Sequence, residues 1–196
     1  PAGADRGPTM DLHASQIQGF FDIPVDNLFG NPIFVDYYAK KFGSVCEDMV
    51  VVSPDVGSVA RARTFAQKLH MGLAIVDKRR QKANQCEVMN VIGDVKGKDV
   101  IIVDDMVDTA GTITKAADIM KEAGAKSVRA FASHCVMSGP ASERVQSSAL
   151  EEIVFTDSIP YTDRCAKVKQ LSVADLFAET IRRVVDNKSI SSQYLL

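Results

Sequence analysis

The sequence predicts an α/β fold in which a mostly parallel β-sheet is flanked by helices on both faces. Between several short apolar runs lie stretches whose apolar residues recur every three or four positions, as on one side of a helix. Strands that alternate with helices in this way favour a parallel sheet with right-handed crossovers. The predicted strands cover residues 49–53, 73–76, 100–103, 128–132 and 153–156.

Three segments carry the helical repeat most clearly. Residues 59–69 and 112–123 each place apolar side chains three or four positions apart. Gly72 and Gly124 follow these two segments at positions where helices end. A third helix is predicted to begin after Ser172, because a hydroxyl residue before an apolar helical face is a typical start signal.

The composition excludes several classes of protein. The 196 residues allow one large domain, or one domain with part of another. A net charge of −2 argues against a nucleic-acid-binding protein, and no apolar stretch approaches the ~20 residues needed to cross a bilayer. The start, PAGADRGP, does not resemble a signal peptide. We therefore expect a cytoplasmic protein with no nucleic-acid or membrane partner, whose cysteines are free thiols.

Two adjacent aspartates follow the apolar run 100–103. Asp104 and Asp105 repel each other, so stability alone does not account for them. Open α/β sheets bind ligands at the carboxyl ends of their strands. There, two carboxylates can accept hydrogen bonds from sugar hydroxyls or hold a divalent cation.

The loop that follows, DTAGT, leads into a helix predicted to start near Thr112. Free N–H groups and the positive end of the helix dipole favour an anion there, and the threonine hydroxyls, including that of Thr114, can add donors. Gly111 allows the backbone to approach the anion closely. A phosphate on the loop and a vicinal diol at the aspartates describe a ribose 5-phosphate. The phosphate-binding residues are then Asp108, Thr109, Ala110, Gly111 and Thr112. The alternative is an N-cap aspartate with a few solvated acidic residues.

The stretch VDDMVDTAGTIT closely resembles the phosphoribosyl-pyrophosphate-binding motif of the type I phosphoribosyltransferase fold. Two families carry this motif: transferases that consume phosphoribosyl pyrophosphate, and synthetases that make it from ATP and ribose 5-phosphate. The segment DLHASQIQGFFDIP and the loop DKRR resemble the synthetases, also called ribose-phosphate diphosphokinases. The segments VSPDVGSVARAR and ETIRRVVDNKSISSQ extend this resemblance over essentially the whole chain.

This resemblance implies a type I phosphoribosyltransferase-like domain preceded by the end of a second, similar domain. We expect residues 1–29 to end an N-terminal, ATP-side domain and residues 30–186 to form the ribose 5-phosphate-binding domain. Residues 187–196 would pack back on the N-terminal domain. Since the family's adenine-contacting segments lie upstream of residue 1, the resemblance implies a chain that lacks most of that domain.

The resemblance also implies roles for residues outside the loop. His13 would contact the phosphates of ATP or the Mg²⁺ that they carry, and Asp55 would lie near the ribose and the metal. Lys78 and Arg80 would hold the transferring diphosphoryl group, and their basic loop could close over the phosphate site. Ser58 departs from the usual glycine of the family and adds a Cβ where the backbone approaches the ligand.

Regulation and assembly are implied by the resemblance alone. Gln18, Asp26, Ser189 and Ser191 match positions of a regulatory site for ADP and phosphate at subunit interfaces, in homo-oligomers that are hexamers. The residues themselves leave open a plain disordered tail at 187–196.

The activity implied is transfer of the β,γ-diphosphoryl group of Mg-ATP to the 1-hydroxyl of ribose 5-phosphate, which gives phosphoribosyl pyrophosphate and AMP. One alternative is a phosphoribosyltransferase, which needs a hood over the base that the sequence does not show. The other is a non-catalytic regulatory subunit or inactive fragment of a synthetase. Such subunits lose the aspartate/threonine loop or the DKRR residues, and this chain keeps both.

Overall fold

A computed structural model describes residues 3–79 and 88–194, without the side chains of residues 78, 79, 88 and 89. The strands are β1 (Gly7–Met10), β2 (Val25–Leu28), β3 (Met49–Ser53), β4 (Gly72–Arg79), β5 (Val88–Ile92), β6 (Asp99–Val107), β7 (Ser127–Cys135), β8 (Glu152–Thr156) and β9 (Val168–Leu171). The helices are α1 (Asn31–Phe42), α2 (Val59–Lys68), α3 (Gly111–Glu122), α4 (Ala141–Ser147) and α5 (Ala174–Val185). Short 3₁₀ turns cover Ser15–Phe20 and Ser191–Gln193.

Seven of these strands form one sheet in the order β5-β4-β3-β6-β7-β8-β9. All neighbours run parallel except β4 and β5, which pair antiparallel. The remaining strands, β1 and β2, form a separate parallel pair. The main sheet is therefore the mostly parallel sheet that the alternation of strands and helices predicts.

Each face of the main sheet is buried under its own helices. Along β6, the side chains of Val100 and Ile102 join a core with α3 and α4. Ile101 and Val103 point to the opposite face and join a core with α1 and α2. Successive side chains of a strand alternate between faces, so the continuous apolar run in β6 supplies both cores. The predicted helices on both faces are present.

The order in which successive strands are added to the sheet reverses between β3 and β6. The chain leaves β3 through α2 on one face towards β4, and leaves β6 through α3 on the other face towards β7. Such a switch point opens a crevice at the carboxyl ends of the strands. The pairing of β3 with β6 ends at Val52 and Ile102, whereas β6 continues to Val107 beside β7. The later part of β6 therefore extends past the end of β3.

The segment 7–30 is joined to the main sheet by a buried carboxylate. The Oδ2 atom of Asp11 accepts hydrogen bonds from the N–H of Gly30 (2.9 Å) and from the hydroxyl of Ser133 in β7. Its Oδ1 atom lies 2.8 Å from Nη1 of Arg61 in α2. The ring of His134 adds contacts to the backbone oxygens of Met10 and Asp11, both at 3.1 Å.

Two local predictions are wrong. Gly72 does not end a helix but begins β4; α2 ends with Leu69 as its C-cap, and His70 takes the left-handed conformation with φ 52°. The strand predicted to end at Val103 continues to Val107, so Asp104 and Asp105 lie inside β6 rather than beyond it. Gly124, by contrast, follows the C-cap of α3 with φ 90°, as predicted.

Candidate functional site

A cavity of about 800 Å³ lies at the switch point, above the end of β3 and beside the extended part of β6. The residues that follow β3 form one wall, and the end of β6 with the start of α3 forms another. Its lining includes the predicted site residues His13, Asp55, Asp104, Asp105, Asp108, Thr109, Ala110, Gly111 and Thr112. The structure thus brings together in one cavity the residues that the sequence placed in three separate segments.

Asp104 is held by two donors and is half-buried. Its Oδ1 atom accepts hydrogen bonds from the hydroxyl of Ser58 (3.0 Å) and from the N–H of Asp105 (2.9 Å). Burial, which penalises the charged form, raises the pKa of Asp104 to about 6. A carboxyl group in this state can exchange a proton near neutral pH.

Asp105 has the opposite electrostatic character because an imidazole ring lies against it. Its Oδ2 atom lies 2.6 Å from Nδ1 of His13, whose side chain is otherwise exposed. Burial alone would raise the pKa of Asp105, but the hydrogen bond from His13 and the charges of His13 and Arg61 lower it below its ordinary value. The same contact raises the pKa of His13. The adjacent carboxylates therefore differ in how readily they take a proton.

Ser58 connects this pair to Asp55. Its N–H donates to Oδ1 of Asp55 (3.0 Å), while its hydroxyl donates to Asp104. The hydroxyl of Ser53 donates to the backbone oxygen of Asp55 (2.6 Å) and fixes the turn after β3. Ser58 thus takes part in the site, with its hydroxyl turned onto a carboxylate.

Residues 108–112, called the anion loop below, comprise the connection from β6 to α3 and the first two residues of α3. Its N-cap residue, Ala110, adopts the left-handed conformation (φ 60°, ψ 3°) and no side chain caps the helix. The hydroxyl of Ser138 donates to the carboxylate of Asp108. The alternative of a simple N-cap aspartate is therefore wrong. The hydroxyl of Thr114 is also excluded as a ligand donor, because it bonds back to the oxygen of Ala110 at 2.8 Å.

The backbone of the anion loop presents a set of free donors. No hydrogen bond within the described part of the chain uses the N–H of Thr109, Ala110, Gly111 or Thr112. Left-handed and right-handed residues in succession direct neighbouring N–H groups into one concavity, which is a known arrangement for anions. The positive end of the α3 dipole lies at the same place.

The donor chemistry of the site fits a magnesium ion that a phosphate ligand brings with it. Mg²⁺ prefers oxygen ligands and takes one or two carboxylates from the protein, with water and phosphate for the rest. Asp55, Asp104 and Asp105 supply such oxygens on the cavity wall. Within the described ranges no three His, Cys, Asp or Glu side chains form a cluster able to hold a metal unaided.

The predicted catalytic pair cannot be placed fully. The backbone of Lys78 lies in β4 and pairs with Met89 of β5. The side chain of Lys78, and all of Arg80, lie outside the described residues.

The predicted regulatory residues lie in two places. Ser189 and Ser191 are joined by a hydroxyl–hydroxyl hydrogen bond (3.0 Å) and line a second cavity of about 400 Å³ with Arg6. Arg6 in turn binds the carboxylate of Asp26. Gln18 bonds to the backbone oxygen of Ser15 and does not line that cavity.

The structure adds residues to the main cavity that the sequence patterns did not indicate. Phe29 and Tyr194 meet edge to face with ring centroids 5.8 Å apart, and Arg61 and Asn31 also line the cavity. Spacing along the chain gives no sign of these residues, because they come from the residue before α1, from α1, from α2 and from the chain's last described residue.

Comparison with known proteins gives a family for the chain. Residues 79–195 match the phosphoribosyl synthetase-associated domain family. The chain belongs to this family. A ribose-phosphate pyrophosphokinase of Helicobacter hepaticus is 58% identical over 193 residues, which are 98% of this chain and 62% of that protein. One from Porphyromonas gingivalis is also 58% identical, over 98% of this chain and 61% of its own length.

A solved structure agrees with this assignment to the phosphoribosyl synthetase family. The phosphoribosylpyrophosphate synthetase from Mycobacterium smegmatis superimposes with a TM-score of 0.85 at 43% identity, over 95% of this chain and 60% of that one. The predicted fold class and the predicted resemblance are confirmed. The chain spans about 60% of the length of these relatives. None of the described helices is long and apolar enough to span a membrane.

Proposed function

We propose that this protein binds ribose 5-phosphate and serves in ribose-phosphate diphosphokinase activity, the transfer of the diphosphoryl group of Mg-ATP to the sugar. The observation that carries the proposal is the pairing, in one cavity, of free backbone donors at the anion loop with the carboxylates of Asp104 and Asp105. The names of the similar proteins support the same reaction.

The two ends of the cavity suit the two ends of this substrate. The N–H groups of the anion loop would bind the 5-phosphate, and the threonine hydroxyls would add donors. Asp104 and Asp105 would accept hydrogen bonds from the sugar hydroxyls. Because carboxylates repel a phosphate, the substrate can bind in only one direction.

Positioning and neutralisation of charge would account for most of the rate, as in phosphoryl transfer generally. The 1-hydroxyl would attack the β-phosphorus of ATP, and AMP would leave. Lys78 and Arg80 are proposed, from the family resemblance, to hold the moving diphosphoryl group. Mg²⁺, when bound with ATP near His13 and Asp55, would neutralise phosphate charge. With a pKa of about 6, Asp104 is better matched than Asp105 to accept the proton of the hydroxyl.

The regulatory and assembly proposals rest on the family resemblance. Ser189 and Ser191, with Arg6 beside them, offer hydroxyls and a guanidinium to an anion in the second cavity. We propose that a nucleotide or phosphate binds there in a homo-oligomer of hexameric type.

The function is tested in two steps. Calorimetry of the 196-residue chain with ribose 5-phosphate is expected to show binding much tighter than binding of ribose. Incubation of a full-length version with ATP, ribose 5-phosphate and Mg²⁺ is then expected to form AMP, and its Lys78→Ala/Arg80→Ala variant to form far less. If ribose 5-phosphate binds no better than ribose, the proposal is wrong. Turnover of phosphoribosyl pyrophosphate with a free base, in place of AMP formation, would favour the transferase alternative.

A further inference from the structure

The turn between β7 and α4 runs directly behind the anion loop. The N–H of Met137 donates to the oxygen of Val107 (2.9 Å), and the N–H of Ser138 donates to the oxygen of Asp108 (3.0 Å). Nη1 of Arg144, in α4, donates to the oxygen of Thr109 (2.9 Å). Three consecutive carbonyl groups, one at the end of β6 and two in the loop, are thus held by one neighbouring segment.

These bonds determine where the loop's N–H groups point. All described peptide bonds are trans, and in a trans peptide the C=O and the following N–H point in opposite directions. A carbonyl of Thr109 fixed towards Arg144 therefore turns the N–H of Ala110 away from α4. The same geometry applies to the N–H groups of Asp108 and Thr109. The segment that binds the carbonyls orients the donors on the other side.

The loop needs this support because its conformation is unfavourable by itself. Ala110 has φ 60°, a region that costs about 1 kcal/mol or more for a residue with a Cβ. Surrounding contacts must hold such a residue in place. Two side chains do so from outside the loop: Arg144 at the carbonyl of Thr109 and Ser138 at the carboxylate of Asp108.

Arg144 is placed firmly for this role even though its side chain is exposed. Its neighbours Ala141 and Val145 are fully buried in the core beneath α4. Nη1 of Arg144 also lies 3.6 Å from the position that a Cβ on Gly111 would occupy. The guanidinium group therefore lies against the loop at both Thr109 and Gly111.

We propose that Arg144 and Ser138 are positioning residues for phosphate recognition, which they support by fixing the anion loop with its N–H groups facing the cavity. This inference rests on the proposed function, since it assumes that the loop binds the 5-phosphate of the sugar. It assigns to Arg144 an action through the carbonyl of Thr109, not a contact with the substrate.

The test compares Arg144→Met, which removes the donors, with Arg144→Lys, which keeps a donor and the charge. We expect Arg144→Met to raise the Kd for ribose 5-phosphate and for inorganic phosphate by roughly tenfold, the effect of one charge-assisted hydrogen bond. Arg144→Lys is expected to stay within about threefold of the wild type. The exposed Arg164, in the β8–β9 loop, gives the matched control Arg164→Met, with an unchanged Kd.

Amide chemical shifts provide a second readout that a general loss of stability would not produce. In Arg144→Met the resonances of Thr109 and Ala110 should move in the free protein and respond less to phosphate. If Arg144→Met lowers the Tm, the positioning role is tested with Arg144→Lys and Ser138→Ala instead. Ser138→Ala is expected to raise the Kd by roughly threefold.

The outcomes separate this inference from the proposed function. A wild-type protein that fails to bind ribose 5-phosphate overturns the proposed function. If the wild-type protein binds ribose 5-phosphate and Arg144→Met binds it equally well, only the positioning role is overturned. The same holds if Arg164→Met loses as much affinity as Arg144→Met.

Discussion

The two ends of the main cavity are built in different ways. The carboxylate end collects side chains from three segments, with His13 joined to Asp105 across 92 positions of sequence. The anion end uses consecutive backbone groups of residues 108–112. Side-chain sites depend on the tertiary fold, whereas a backbone site follows from a short stretch of sequence and its local conformation. The comparison explains why one end was predictable in detail and the other only in outline.

The two ends also differ in electrostatic cost. Asp104 is half-buried, none of the described ion pairs includes it, and its pKa rises to about 6. The anion end carries partial positive charge from amides and the α3 dipole, which needs little compensation when no ligand is bound. We therefore expect the carboxylate end to lower the free energy of unfolding, and the anion end to lower it much less.

The largest expected effect belongs to the carboxylate end. Asp105→Ala removes the acceptors for sugar hydroxyls, and two lost hydrogen bonds to a charged group correspond to a roughly 100-fold higher Kd for ribose 5-phosphate. Inorganic phosphate should bind as before, because its site is the loop. Calorimetry with both ligands measures this, and exposed Asp163→Ala is the control. An equal loss for phosphate would show that the two ends are not independent.

The second expected effect concerns stability and pH. The pKa of Asp104 lies above its ordinary value of 3.8. Between pH ~4 and ~6 the folded state therefore holds a proton that the unfolded state has lost, and stability falls as the pH rises through this range. Asp104→Asn keeps an acceptor for Ser58 but has no charge to bury.

We expect Asp104→Asn to be more stable than the wild type at pH 7.5, by on the order of 2 kcal/mol, and equally stable at pH 4. Urea unfolding at the two pH values measures the difference, with exposed Asp175→Asn as the control. A gain that is the same at both pH values would contradict the role of burial.

The smallest expected effect belongs to the anion end. A Cβ on Gly111 would lie 3.6 Å from Arg144 and 3.9 Å from Thr109, which is ordinary contact. Gly111→Ala should therefore leave the free energy of unfolding unchanged or slightly higher. The added methyl group should still raise the Kd for ribose 5-phosphate and for inorganic phosphate by roughly tenfold, because the ligand approaches the backbone closely.

Unfolding and calorimetry on the same samples test this pair of results. Gly19→Ala, where a Cβ meets nothing within 4 Å, is the matched control. Undiminished phosphate binding by Gly111→Ala would place the anion elsewhere.

Sequence patterns predicted the strands that lie in the centre of the sheet. The run at 49–53 matches β3 residue for residue, and the run at 153–156 matches β8 except for its first residue, Glu152, because buried parallel strands are continuously apolar. The antiparallel β5 and the short β9 were not predicted, since edge strands are more polar and less periodic. The end of β6 was missed for a related reason: pairing with β7, not apolar character, carries the strand through Asp104 and Asp105.

The candidate site was predicted as far as local sequence allows. The anion loop and the aspartates follow from residue types next to a strand end. The contacts of Ser58 with Asp104 and of His13 with Asp105 could not be predicted from local sequence. They depend on the packing of β3, β6 and the segment before α1. Arg144 has no motif of its own, since its role depends only on where α4 lies.

The ion pair of Asp11 with Arg61 bears on how this protein can be divided. The boundary expected between residues 29 and 30 falls at Gly30, whose N–H binds Asp11. A chain cut there would lack Asp11, which is the carboxylate partner of Arg61 and the hydrogen-bond acceptor of Ser133. It would also lack His13, which lines the cavity. Although the strand pair β1–β2 is a separate sheet, it cannot be exchanged as an independent module. A graft from a related protein would need to begin before residue 7 to preserve a working cavity.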